Sequence, residues 1–140
     1  MRVCLDTNVL VAAVATRGLA ADVLRLTLAE HDLLIPEVVL TELRRVLRTK
    51  FKLPAARINE LETFLREHEV VPKPAHLLEI KVRDPADAWV LASAVVGHAD
   101  ELVTGDQDLL VLGSSAPLPV LDPRAFWNLS REKPTERDAR

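Results

Sequence analysis

The sequence predicts an α/β domain of three layers, α/β/α, around a central, mostly parallel sheet of about five strands. Three observations carry that prediction. Short apolar runs alternate with longer amphipathic stretches in the order βααβααβαβαβ, the pattern of strands joined by helical crossovers. Aromatics make up only 4% of the chain and Tyr is absent, so the core must be mostly Leu, Val and Ala, which suits helices packed on both faces of a sheet. A length of 140 residues with a hydrophobic fraction of 49% fills one domain with a sizeable core and leaves too little for two.

The first strand, Arg2-Val3-Cys4-Leu5, runs straight into Asp6-Thr7-Asn8, which caps a helix over 9–16 ended by Arg17-Gly18. A second helix over 20–30 has a broad apolar face from Val23, Leu24, Leu26 and Leu28. Leu33-Leu34-Ile35 is the second strand. Pro36 stands at the favoured first-turn position of a helix to 49, and Pro54 opens another to 68. Glu69-Val70-Val71 is the third strand, and the irregular stretch 72–83 finishes in a short helical turn. Asp84-Pro85-Ala86-Asp87 opens a long helix to 96, followed by the fourth strand, Leu102-Val103-Thr104. Asp106 caps a short helix through 112, and Pro119-Val120-Leu121 is the fifth strand. The domain is expected over 1–128. Residues 129–140 are read as a charged, disordered tail, because beyond 129 the sole apolar residue is Ala139.

Composition narrows the function classes. The single Cys4 excludes an intrachain disulfide and fits a reducing compartment. The start lacks the order of a signal peptide, and the apolar run 9–15 falls far short of the roughly 20 residues that span a bilayer. A cytoplasmic protein with no membrane contact is the expectation. A net charge of −3 argues against coating nucleic acid by charge alone. Setting aside four of the 21 acids as cation ligands leaves 17 against 18 Lys and Arg, which is near balance.

Asp6, Glu42, Asp87 and Asp106 are the four acids expected in one site, each near a strand end or on the part of a helix facing the sheet edge, where chemistry collects in open α/β sheets. Each also has a local explanation. Asp6 can simply cap the helix after it. Glu42 can pair with Arg45 three residues on. Asp84 and Asp87 have the spacing of a capping box, and Asp106 and Asp108 follow a turn-and-cap pattern. Local structure does not explain why all of them fall at one edge of one sheet. Carboxylates brought together repel, and Mg²⁺ or Mn²⁺ is the usual reason to keep them so.

With these residues in place, the chain resembles the PIN-domain ribonucleases, and among them the bacterial PIN-family (VapC-like) toxins of toxin–antitoxin systems. The likeness runs from Arg2 to about Phe126, over Leu5-Asp6-Thr7-Asn8-Val9-Leu10, Pro36-Glu37-Val38-Val39-Leu40-Thr41-Glu42-Leu43, Arg83-Asp84-Pro85-Ala86-Asp87 and Val103-Thr104-Gly105-Asp106-Gln107-Asp108-Leu109-Leu110. Asp122-Pro123-Arg124-Ala125-Phe126 resembles the family's closing strand and turn. The resemblance implies a PIN-like nuclease domain that cleaves RNA with one or two Mg²⁺ or Mn²⁺ ions. It assigns Asp6, Glu42, Asp87 and Asp106 as catalytic metal ligands, Asn8 and Thr104 as polar supports, and Asp84 and Asp108 as further candidates for support. It also implies a homodimer and a small antitoxin protein as partner. The one departure is Ala88, where related sequences commonly carry another polar or acidic residue.

The chemistry of the residues agrees. Phosphodiester hydrolysis needs an activated water, stabilised negative charge and help for the departing oxygen, and divalent ions can supply all three. No His falls in the motifs: His31, His68, His76 and His98 are scattered. The densest basic group is Arg44, Arg45, Arg48, Lys50 and Lys52, in which Arg44 and Arg48 share a face by their i,i+4 spacing and are the candidates for RNA phosphates. The alternative is a locally stabilising cluster at a helix C-terminus. Leu19, Val23, Leu26, Leu61, Phe64 and Leu65 form apolar stripes suited to the core, with any exposed part free for a partner. Two rival functions stand beside the nuclease. One is an aspartate-based phosphatase or phosphoacceptor, which usually has a second Asp two positions after the first, where this chain has Asn8. The other is a catalytically silent PIN-scaffold interaction module, which predicts erosion of the acids.

Overall fold

Leu5 and Val103 lie side by side in the middle of the sheet, and that pairing organises the rest of the domain. In the computed structural model, which describes residues 1–132, five strands run parallel in the order β3-β2-β1-β4-β5. They are β1 (Arg2–Leu5), β2 (Asp32–Pro36), β3 (Glu69–Val71), β4 (Glu101–Val103) and β5 (Val120–Leu121). The central strands are apolar on both faces, as a sheet covered twice requires: Val3, Cys4, Leu5, Leu33, Leu34, Ile35, Leu102 and Val103 are all buried. Burial pushes the Cys4 thiol well above its ordinary range, so it serves as a small apolar core residue.

The helices are α1 (Thr7–Ala15), α2 (Leu19–Glu30), α3 (Glu37–Thr49), α4 (Ala55–Leu65), α5 (Pro85–Val96), α6 (Gln107–Leu110) and α7 (Pro123–Glu132). Helix α1 packs on both α2 and α3, α3 on α4, and α7 on α2, whereas α5 lies on β2 and β3, meets α6 and touches α3. Right-handed crossovers put these two groups on opposite faces, which gives the three layers. At Gly97, directly after α5, helix and sheet approach so closely that a Cβ would stand 2.7 Å from side-chain carbons of both Leu34 and Val71. Among the described residues no helix is long and apolar enough to cross a membrane.

Three expectations are corrected. Residues 72–83 contain bends but no helical turn. Asp122-Pro123 closes no strand-and-turn: it opens α7, with Asp122 Oδ1 accepting from the Ala125 N–H at 2.7 Å. Helix α7 buries Phe126 completely and continues through Glu132, so it crosses the boundary expected at 128. The rest of the expected tail lies outside the described residues. Of the apolar stripes, Val23 and Leu65 are buried, Leu19, Leu26 and Leu61 are half-buried, and Phe64 is exposed.

Strand β1 lies where the strand order reverses: β2 and β3 extend from one side of it and β4 and β5 from the other. Residues that follow β1 and β4 therefore meet at the crevice where open α/β sheets carry their sites.

Candidate active site

Asp6 is the residue after β1, and its N–H donates to the Val103 carbonyl at 2.9 Å, extending the ladder by one rung. The register set by Leu5 and Val103 then brings Asp6 beside Thr104, 98 residues away in sequence. The Thr104 hydroxyl, fully buried, donates to Asp6 Oδ2 at 2.7 Å and accepts from the Asp106 N–H at 3.0 Å. Asp6 Oδ1 accepts from the Thr7 N–H at 2.7 Å and so also caps α1. One hydroxyl thereby ties two strand ends together. Burial pushes the Asp6 carboxyl above its ordinary pKa; the two hydrogen bonds oppose the rise, and the charges of Asp106 and Glu42 add to it.

Asp87 arrives from the other face of the sheet, in the first turn of α5. Asp84 caps that helix, accepting from the Ala86 N–H at 2.9 Å. Asp87 does not complete a capping box: it is 6% exposed, and its Oδ2 is buried without a hydrogen-bond partner. One carboxylate oxygen each of Asp6, Asp87 and Asp106 lies within 4.8 Å of the other two. At that separation and an effective dielectric constant near 20, two full charges repel by about 3 kcal/mol, whereas a helix cap contributes about 1 kcal/mol. Capping accounts for Asp6 and for Asp106 singly, but neither for Asp87 nor for the convergence of three. Burial and repulsion both favour the neutral form of Asp87. Burial, then Asp106, Asp6 and Asp84, push the Asp87 carboxyl up to about 8.

A second trio, Asp84, Asp87 and Asp108, shares Asp87 with the first, and Asp108 also pairs with Arg83 at 3.1 Å. Asp6, Asp84, Asp87 and Asp106 line one cavity of about 380 Å³ together with Thr7, Asn8, Val38, Glu42, Lys73, Ala86, Trp89 and Val90. The expected cluster of four acids is therefore three close together and one on the wall. Glu42 belongs to the cavity, but Arg45 holds its carboxylate at 2.5 and 3.3 Å, the i,i+3 pairing that its spacing allowed. Asn8 is exposed on the same wall. Neither Arg44 nor Arg48 lines it. Arg44 ties α3 to α4 through Glu62 at 3.0 Å and Asn59 at 3.1 Å, and Arg48 is exposed in the last turn of α3.

Two lining residues with polar or aromatic chemistry, Lys73 and Trp89, carry no signal in the motifs of the sequence. Trp89 stands two positions after Asp87, so the helix that delivers the acid delivers the ring. Lys73 follows β3 by two residues, and the same strand-end reasoning that picked out Asp6 applies to it.

The donor set fits a hard divalent cation. Three carboxylates from separate elements offer oxygen ligands, one buried oxygen has no other partner, and no thiol or imidazole lies on the wall among the described residues.

Comparison with known proteins follows the same lines. The PIN domain model matches residues 3–113, a stretch that holds every acid of both trios. In fold the chain is similar to a chain of VapBC2 from Rickettsia felis, whose crystal structure is bound to a DNA fragment from their promoter. The TM-score is 0.60 and the identity 22%, over 87% of this chain and 98% of that one. It is also similar to a domain of a functionally unknown protein from Methanocaldococcus jannaschii, with a TM-score of 0.55 and 21% identity over 85% of this chain and 88% of that one. No curated protein matches.

Proposed function

The chain belongs to the PIN domain family, and from that premise we propose that it is an endoribonuclease that hydrolyses RNA phosphodiester bonds with Mg²⁺ or Mn²⁺, one or two ions, at Asp6, Asp87 and Asp106. PIN domains are in general nucleases. The observation that carries the reading is the convergence of these three carboxylates, with the buried Asp87 Oδ2 left unpartnered. Such an ion, when bound, supplies water activation and stabilisation of the extra negative charge.

The chain's own residues have distinct tasks. Asp6 is held rigid by Thr7 and Thr104, and Asp106 is placed by the same hydroxyl. Asp87, whose carboxyl is pushed up by burial and by Asp106, must be deprotonated to act as a ligand. Glu42 stands on the wall and joins if it lets go of Arg45. A phosphoacceptor role for Asp6 is disfavoured, since it is 3% exposed and both its oxygens accept hydrogen bonds. A silent scaffold would have no reason to keep the trio.

We further propose that the chain is the toxin of a toxin–antitoxin pair, a reading that the fold likeness to a VapBC2 chain supports; a cytoplasmic homodimer silenced by a small antitoxin protein belongs to that proposal. The test is cleavage of labelled single-stranded RNA by the purified chain in Mn²⁺, in Mg²⁺ and in chelator. Wild type should cut in metal alone, and Asp87→Asn and Asp106→Asn should each lose orders of magnitude while remaining folded. Near-normal activity in both variants would refute the assignment.

A further inference from the structure

The segment after β3 reads Pro72-Lys73-Pro74. Both prolines have a fixed φ, and the residue before a proline is confined to extended backbone, so Lys73 sits on a stiff strut at the carboxyl edge of the sheet. Its ammonium nitrogen lies 4.3 Å from the centre of the Trp89 ring. Among the described residues Lys73 is the one Lys or Arg on a cavity wall that also carries Asp6, Glu42, Asp84, Asp87 and Asp106. It forms no ion pair with any of them; its partner is the aromatic face. That arrangement keeps a positive charge available at the rim of an acidic pocket.

Resting on the ribonuclease reading, we propose that Trp89 and Lys73 form the substrate subsite of this pocket: the indole stacks a nucleobase of single-stranded RNA and Lys73 takes an adjacent phosphate. The chemistry favours the exchange. Stacking of a base on an aromatic ring outweighs an exposed cation–π contact. The displaced ammonium gains a phosphate, and a polyanion approaching several carboxylates needs a cation at the entrance. Single-stranded RNA is the form whose bases are free to be stacked in this way. An arginine-rich protein segment would also suit the acids, but it would meet Lys73 as a like charge.

The experiment uses the full chain carrying Trp127→Phe, which leaves Trp89 as the sole indole fluorophore. The chain is titrated in Ca²⁺ with short oligouridylate, with an abasic ribose-phosphate oligomer of equal length and with oligoarginine. Cleavage kinetics are measured in Mn²⁺ on chains with native Trp127. Oligouridylate should quench the fluorescence and the abasic oligomer should not. Trp89→Leu and Lys73→Gln should raise KM by roughly 5- to 100-fold with kcat within a few-fold, and Trp89→Phe and Lys73→Arg should restore most of the loss. Equal quenching by the abasic oligomer, or wild-type KM in Trp89→Leu and Lys73→Gln, overturns the subsite while leaving the nuclease reading intact. Quenching by oligoarginine and not by RNA overturns it in favour of a protein partner. A wild type that neither cleaves nor binds RNA overturns both readings.

Discussion

Asp87→Asn is expected to make the metal-free protein more stable, and the structure supplies the size of the effect. The ordinary carboxyl value of 3.8 is raised to about 8 at Asp87 in the folded chain. A carboxyl raised in this way contributes its full stability below its unfolded value and loses it as pH climbs toward its folded one. Over the interval from 3.8 to 7, at about 1.4 kcal/mol per pH unit, the wild-type loss is at most about 4.5 kcal/mol, and solvent screening in the open cavity lowers it to about 3–4 kcal/mol. The amide has no proton to lose. If it leaves one polar atom unsatisfied in the buried site, that costs about 1–2 kcal/mol, so the variant should be ahead by about 2 kcal/mol at neutral pH. For a domain of this size that is a rise of roughly 4–10 °C in melting midpoint. The assay is thermal unfolding of both proteins in chelator between pH 5 and 8, with the gap widening as pH rises. Saturating Mn²⁺ should close or reverse the gap, since an ion at 100 times its Kd adds about 2.7 kcal/mol to the protein that binds it. A variant midpoint at or below wild type in chelator at pH 7–8, or a gap that does not change with pH, would refute the reasoning.

Three further outcomes are expected. Thr104→Val keeps the shape but strips the donor from Asp6 and the acceptor from the Asp106 N–H, both buried or half-buried; chemical denaturation should show a loss of about 1–3 kcal/mol together with reduced cleavage, and Thr104→Ser should recover both. Gly97→Ala pushes a methyl to 2.7 Å from Leu34 and Val71 side-chain carbons, so unfolding should show a loss of about 1–3 kcal/mol, and an unchanged midpoint would mean that this face yields. Arg45→Ala frees the Glu42 carboxylate and should tighten Mn²⁺ binding by calorimetry, whereas Glu42→Gln should weaken it; identical affinities in the two would remove Glu42 from the metal site.

The element order was legible because each helix start carries its own chemistry within a few residues. Asp6, Asp84 and Asp106 are all caps in the structure, and observed boundaries differ from the expected ones by a residue or two at most starts. Asp122-Pro123 carries the same cap-then-proline signal as Asp84-Pro85; the family resemblance makes it a closing turn, whereas in the fold it opens α7. Asp6, Asp87 and Asp106 could be grouped from sequence, since strand ends and helix starts in a parallel sheet must collect at one edge.

Local sequence thus determined which residues could reach the site. What each does there was decided only by contacts between distant segments. Glu42 faced both the pocket and Arg45, and no spacing rule distinguishes the two rotamers; in the fold it pairs with Arg45. The β1–β4 register made Thr104 the clamp on Asp6. With both oxygens of Asp6 engaged, relief of charge belongs to Asp87, whose Oδ2 has no partner. The raised Asp87 carboxyl and the Lys73–Trp89 contact likewise join elements on either side of long stretches of chain. Burial and like charge depend on what packs around a group, and that is a property of the assembled sheet and helices that periodicity and capping signals do not encode.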